Sequence, residues 1–118
     1  MPKSKRQSAG SAGAPKSGGK VPAERVADLA AASRVLAAQG VVDGFGHVSM
    51  RHPAAPDRYL MARALAPALV TPKDIIEYDL ASNPCDAAGR ASFLERFIHG
   101  EIYRARPEIM AVVHSHSP

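Results

Sequence analysis

The sequence predicts an α/β layered domain, and three observations carry that expectation. Two segments place apolar residues at helical spacing, several short segments between them have strand character, and a continuous apolar run at residues 109–113 has the make-up of a sheet strand. The elements fall in the order helix, strands, helix, strand.

The first 20 residues hold Lys3, Lys5, Arg6, Lys16 and Lys20, no acidic residue, and otherwise mainly Ser, Gly, Ala and Pro. Such a stretch has too little apolar surface to offset the entropy of ordering. Residues 1–20 are therefore read as a disordered basic tail, dispensable for the fold, and residues 21–118 as the N-terminal part of one domain. The tail lacks the apolar segment of a secretory signal.

Pro22 suits the first turn of a helix. Val26, Leu29, Ala30, Ser33, Leu36 and Ala37 then form one face, and Gly40 supplies the stop. Gly44-Phe45-Gly46 leads into a strand, His47-Val48-Ser49-Met50-Arg51. Because these glycines open a strand and not a helix, they are no dinucleotide fingerprint. Residues 52–58, with two prolines, read as a turn that leaves His52 at the surface. Tyr59-Leu60-Met61 returns as the partner strand of a hairpin. Thr71-Pro72-Lys73-Asp74 is a helix-start or turn signature, and residues 75–80 form a further strand. A second helix spans residues 92–104, with Leu94, Phe97, Ile98, Ile102 and Ala105 as its buried stripe and Pro107 beyond its end. The run at 109–113 reads as a strand buried on both faces.

Charge and composition exclude several classes. The net charge of +4 comes from the tail: fifteen basic residues less its five leaves ten, against eleven acidic. A nucleic-acid-binding domain carries its positive charge on the fold itself, so no nucleic-acid partner is expected. No apolar run approaches the ~18 residues of a membrane span. The single cysteine, Cys85, rules out an intrachain disulfide; it fits a reducing compartment and a cytoplasmic location, and reads as a spectator thiol.

His114 and His116 stand two apart at the end of the last strand. Alternate strand residues share a face, so both imidazoles can reach one metal ion from a rigid platform. The bland alternative is a pair of surface histidines. Glu95 lies in the first turn of the second helix, where the helix dipole favours a carboxylate. A Glu near a metal can also act as a general acid or base. His99, one turn on, is placed to touch it.

Glu95-Arg96-Phe97-Ile98-His99, then Arg106-Pro107, then Ala111-Val112-Val113-His114-Ser115-His116, together resemble the class II aldolase/adducin family. In that family a Glu precedes the first His of a His-X-His pair by the 19 residues that separate Glu95 from His114. Gly46-His47-Val48-Ser49-Met50-Arg51 resembles the family's Gly-Asn-Val-Ser-x-Arg strand, and residues 71–79 resemble the segment after it. The resemblance covers residues 21–118. It implies a three-layer α/β/α domain around a central, largely antiparallel sheet, incomplete at its C-terminus. It also implies His114 and His116 as ligands of a divalent metal, zinc first with manganese or cobalt as alternatives, and a third ligand His beyond residue 118. Glu95 would shuttle a proton for a carbon–carbon lyase, aldolase or decarboxylase, that passes through an enediolate of a small-molecule substrate. Family members assemble as homo-oligomers, often tetramers.

The departures from the family pattern bear on the substrate. Phosphosugar aldolases of the family bind phosphate with the Asn of that strand, a Thr-Gly pair and two Ser before the Glu. Here those places hold His47, Ala64-Leu65 and Phe93-Leu94. A phosphate against Phe and Leu would lose its donors. The expected substrate is a non-phosphorylated hydroxy-acid or hydroxy-carbonyl compound, with His47 and Ser49 as substrate-binding residues. His47 would meet a carboxylate or phenolic oxygen, a pattern closer to the hydroxy-aromatic-acid decarboxylases. Its alternative is a strand histidine bonded to backbone. Two other readings stand beside the lyase: an adducin-like, non-catalytic module, which would carry no metal, and an inactive fragment that binds metal weakly through two histidines.

Overall fold

The computed structural model describes residues 13–116. Four strands form one antiparallel sheet: β1 (His47–His52), β2 (Ala55–Ala62), β3 (Ile75–Asp79) and β4 (Ala111–His114), in the order β3-β2-β1-β4. Helices α1 (Ala23–Ala38) and α2 (Arg96–Ala105) complete the fold. Side chains alternate across a strand, and β2 shows what each face receives. Leu60 and Ala62 join Leu29 and Ala30 of α1 in one apolar cluster, while Tyr59 and Met61 join Tyr103 of α2 in a second. One helix covers each face, so the domain is a three-layer α/β/α arrangement.

The local chemistry accounts for most element ends. α1 starts after Pro22 and stops before Gly40, whose φ of +73° suits glycine. Thr71 and Asp74 form a reciprocal capping box around a 3-10 turn that delivers the chain into β3. The hairpin is tighter than expected. β1 runs through His52 and β2 begins at Ala55, so only Pro53 and Ala54 lie between them.

Three expectations need correction. α2 begins at Arg96 and not at Ser92, leaving Glu95 at the N-cap position. Its apolar residues are not its buried stripe: Leu94, Phe97 and Ile98 are exposed, and the helix buries His99, Gly100 and Tyr103. β4 is not buried on both faces. It is an edge strand, paired only with β1 among the described strands, and Val113 is half exposed.

His52 is buried, contrary to the surface position expected of it. Its Nε2 donates to the Gly19 carbonyl at 2.8 Å, and its Nδ1 accepts the Ala54 N–H at 3.0 Å. Of the expected tail, residues 1–12 lie outside the described residues. From Lys16 the chain already runs along the sheet. Arg58 donates to the Lys16 carbonyl, and the buried Glu77 carboxylate accepts Ser17 Oγ at 2.7 Å and Gly18 N–H at 2.6 Å. The boundary drawn at residue 20 thus falls within a segment that contacts the domain. Cys85 fits its spectator reading: burial, then the nearby Glu77, pushes its thiol up to about 11.

Candidate active site

The site is built where β1, β4 and the start of α2 meet. β1 presents a polar row, His47, Ser49 and Arg51, to the α2 face, while Val48 and Met50 turn to the α1 cluster. His47 is the cross-strand partner of His114 on β4. Their rings stack with centroids 4.9 Å apart. Arg51 anchors the deep end of the row by donating to the backbone carbonyls of Tyr103, Arg106 and Ile109, which ties β1 to the end of α2 and to the approach to β4.

His114 and His116 point the same way. Their Nε2 atoms are 3.3 Å apart, and Glu95 Oε2 lies 3.5 Å from the first and 3.7 Å from the second. Two nitrogens bound tetrahedrally at ~2.0–2.1 Å from zinc would be about 3.3–3.4 Å apart. The triangle of two imidazoles and a carboxylate therefore has the donor types and edge lengths of a divalent-metal site. His47, Glu95 and His114 also offer ligand atoms within 4.8 Å of one another. Four side chains thus crowd one point, and three ligands are enough for a catalytic ion.

Charge around Glu95 is mutually reinforcing. Partial desolvation would raise its pKa, but the hydrogen bond from His47 and the nearby His114 and His116 outweigh that and hold it below the ordinary glutamate value. His47 is 3% exposed, and Phe93 packs its ring 4.6 Å away. Burial lowers its pKa and keeps it neutral against the opposing pull of Glu95.

The sequence places His99 against Glu95, but the structure turns it inward. His99 Nε2 lies 2.7 Å from His47 Nδ1, and its Nδ1 lies 2.6 Å from Ser49 Oγ. Burial, then the neighbouring His47, drives His99 down to about 3, so it stays neutral. Ser49 lies deeper than a substrate-facing residue of its strand. It is fully buried, and its hydroxyl is shared between His99 and Tyr103, at 2.7 Å from the latter. The hydroxyl connects to His47 through His99. Tyr103 and Asp43 are additions the sequence did not single out. Asp43 Oδ1 accepts the Phe45 N–H at 2.9 Å and lies 3.5 Å from His116 Nδ1, where it orients the ring from behind.

A pocket of about 500 Å³ opens beside Glu95. Gly44 and Phe45 form one side, Ala64, Leu65 and Ala66 another, and Ser92, Phe93 and Leu94 a third. A backbone hydrogen bond from Ala64 N–H to the Ala91 carbonyl holds two of these walls together. Its lining is mainly apolar, and its size suits a small organic molecule. The Ala64-Leu65 and Phe93-Leu94 pairs are both in these walls.

Residues 27–118 match the sequence profile of the class II aldolase and adducin N-terminal domain. Among curated proteins, the chain is similar to the decarboxylase tropJ of Talaromyces stipitatus, at 42% identity over 85 residues, covering 70% of this chain and 32% of that protein. It is also similar to the 3,4-dihydroxyphthalate decarboxylase of Arthrobacter keyseri, at 37% identity over 100 residues, covering 76% of this chain and 39% of that protein. The chain thus spans between about a third and two fifths of the length of these relatives. Among solved structures, it resembles the L-fuculose 1-phosphate aldolase of Glaciozyma antarctica PI12, with a TM-score of 0.71 at 30% identity over 81% of this chain and 41% of that one. An aldolase II superfamily protein from Pseudomonas syringae superposes with a TM-score of 0.72 at 26% identity, over 80% of this chain and 39% of that one.

Proposed function

The chain belongs to the class II aldolase and adducin N-terminal domain family, and from that premise we propose that it carries the metal and proton-transfer half of a decarboxylase-type carbon–carbon lyase acting on a non-phosphorylated hydroxy-aromatic acid. The observation that supports this most is the pocket beside Glu95. Its walls offer aromatic and aliphatic surface where a sugar phosphate would need hydrogen-bond donors. The similarity to two decarboxylases, one named for a dihydroxy aromatic acid, supports the same substrate class.

His114 and His116 would hold a divalent cation, zinc first, which when bound supplies Lewis acidity toward the substrate's oxygens. The remaining work falls to this chain's own side chains. Phe45, Leu65 and Phe93 give the ring an apolar seat and exclude water from it. His47 is buried beside Glu95, 3.4 Å from its carboxylate, and would donate to an anionic oxygen of the substrate that takes the place of that contact. Glu95, half exposed and kept ionised by its histidine neighbours, is placed to take up and return a proton at its carboxylate. Asp43 keeps His116 turned toward the site.

The test is a direct comparison of substrates. The longest polypeptide in which this chain is encoded, loaded with zinc, is given a panel of ortho-hydroxy aromatic carboxylates and, in parallel, L-fuculose 1-phosphate. Carbon dioxide release from the aromatic acids, lost in Glu95→Gln, is the expected result. Faster cleavage of the sugar phosphate would defeat the assignment. Residues 1–118 alone are expected to bind zinc weakly and to turn over little substrate.

A further inference from the structure

Behind the site, five groups form an unbranched hydrogen-bonded line: Glu95 to His47, His47 to His99, His99 to Ser49, Ser49 to Tyr103. Its links measure 3.4, 2.7, 2.6 and 2.7 Å in that order. Everything from His47 inward is buried. Each inner member can face either way, since a neutral imidazole carries one donor and one acceptor nitrogen and a hydroxyl can do both. The direction of the whole line is therefore set at its ends.

Both ends demand the same direction. An ionised carboxylate only accepts, so Glu95 requires the proton of His47 to be on Nε2. His47 Nδ1 must then accept from His99 Nε2–H, His99 Nδ1 from the Ser49 hydroxyl, and Ser49 Oγ from the Tyr103 hydroxyl. At the other end, Tyr103 is 1% exposed, with its hydroxyl 2.7 Å from Ser49 Oγ. Ser49 Oγ is the acceptor its own O–H has among the described residues. Reversing the line would leave a buried phenol O–H with nothing to accept it, which folded proteins avoid.

We propose that His47 is a fixed hydrogen-bond donor and not a metal ligand, its proton held on Nε2 by a one-way line from Tyr103 through Ser49 and His99. A metal ligand must offer a lone pair, and the line removes that lone pair from the nitrogen facing the site. The cluster of four therefore divides. His114, His116 and Glu95 can hold an ion, while His47 offers an N–H to an anionic oxygen of a bound molecule, such as a carboxylate or phenolate. His99, Ser49 and Tyr103 are positioning residues. The inference rests on the reading of this face as the active site, and it fails separately from the choice of substrate. Turnover of a sugar phosphate by a protein whose His47 is Nε2-protonated would overturn the substrate class alone.

The experiment is two-bond ¹⁵N–¹H correlation NMR on the metal-free chain labelled with ¹⁵N-histidine, which separates protonated from unprotonated ring nitrogens. His47 and His99 are expected to show protonated Nε2 and bare Nδ1. A bare Nε2 on His47 would overturn the proposal. In Tyr103→Phe the Glu95 end still sets the direction, so both tautomers are expected to hold; in the double variant Tyr103→Phe/Glu95→Gln both ends are lost, and His47 and His99 are expected to populate their other tautomers. Unchanged tautomers there would overturn the role of the line. As a second measurement, zinc is titrated by calorimetry into wild type and His47→Gln, with retained fold checked by circular dichroism. His47 bonds Glu95, so the affinity is expected to fall by no more than the ~10–100-fold that loss of an outer metal partner costs, whereas loss of all measurable zinc binding would restore His47 as a ligand.

Discussion

The two faces of the sheet are covered by one helix each and hold together by different means. Toward α1, Leu29, Ala30, Val48, Leu60, Ala62, Val70 and Ile75 form an aliphatic layer in which any good fit serves. Toward α2, a cluster of three tyrosines shares the interface with His47, Ser49, Arg51 and His99. There each contact has a direction: Tyr59 bonds Ser82 and the Arg96 carbonyl, Tyr78 bonds Ser92, and Tyr103 bonds Ser49. The first face is stabilised by area removed from water, and the second fixes where particular atoms stand. Both faces use the same four strands, so β1 alternates between the two roles from one residue to the next.

The sharpest way to separate the faces is to damage the first. Leu60→Ala, at a position 3% exposed, should cost about 2–5 kcal/mol. The measurement is a lower urea midpoint at unchanged slope, with the histidine tautomers of the folded form unaltered. Altered tautomers would show that the faces are mechanically coupled.

A smaller change on the second face should act the other way round. A Cβ on Gly100 would run into Ser82 Oγ and lie 2.7 Å from the Leu80 carbonyl oxygen. Gly100→Ala should therefore destabilise by about 1–3 kcal/mol, although alanine is the better helix former. Because Gly100 follows His99, the same variant should disturb the His47–His99 signals. A neutral or stabilised protein in chemical denaturation would show that α2 shifts without strain.

The smallest effect is expected at the rim, outside both faces. The Arg63 guanidinium, then the Thr71 N–H, hold the Asp74 carboxyl down to about 2, against an ordinary value of 3.8. An acid with a depressed folded pKa stabilises the fold above its unfolded value and loses that contribution as pH falls through the folded one. Stability should thus decline from about pH 4 toward pH 2 through this group. Asp74→Asn should be about 1 kcal/mol less stable near neutrality, Arg63 being partly exposed. The two proteins should converge at the acid end, and a constant gap down to pH 2 would refute the assignment.

The contrast between the faces also explains what could be read from the sequence. α1, the hairpin and the Thr71–Asp74 turn follow local rules of periodicity, capping and proline placement, so they are legible. The α2 face is not, because a periodicity search counts Leu94, Phe97 and Ile98 as inward and His99 as outward. Histidine and tyrosine are buried there only because β1 supplies partners 52 and 54 residues away. The available signal was the polar row at 47, 49 and 51, spaced by two on one strand, together with His99 and Tyr103, spaced by four on one helix. Glu95, His114 and His116 could be singled out as a group through family spacing. The motif points Ser49 at the substrate, whereas its depth in the structure depends on tertiary packing. β4 reads as doubly buried because its run is apolar, but its place at the edge of the four described strands is set by topology.

The antiparallel register of β1 and β4 has one more consequence. His47 and His114 face each other as partners although 67 positions (114 − 47) separate them along the chain. The hairpin and β3 can zip by local closures, but this pairing must wait for a much longer loop to close. His114, which ends β4, and His116 just beyond it both arrive with that strand. A slip of one position would set Val113 or Ser115 opposite His47 and turn His114 and His116 toward the α1 side. Registry therefore acts as a checksum on assembly. A chain that zips wrongly does not hold a weaker version of the site; it holds none.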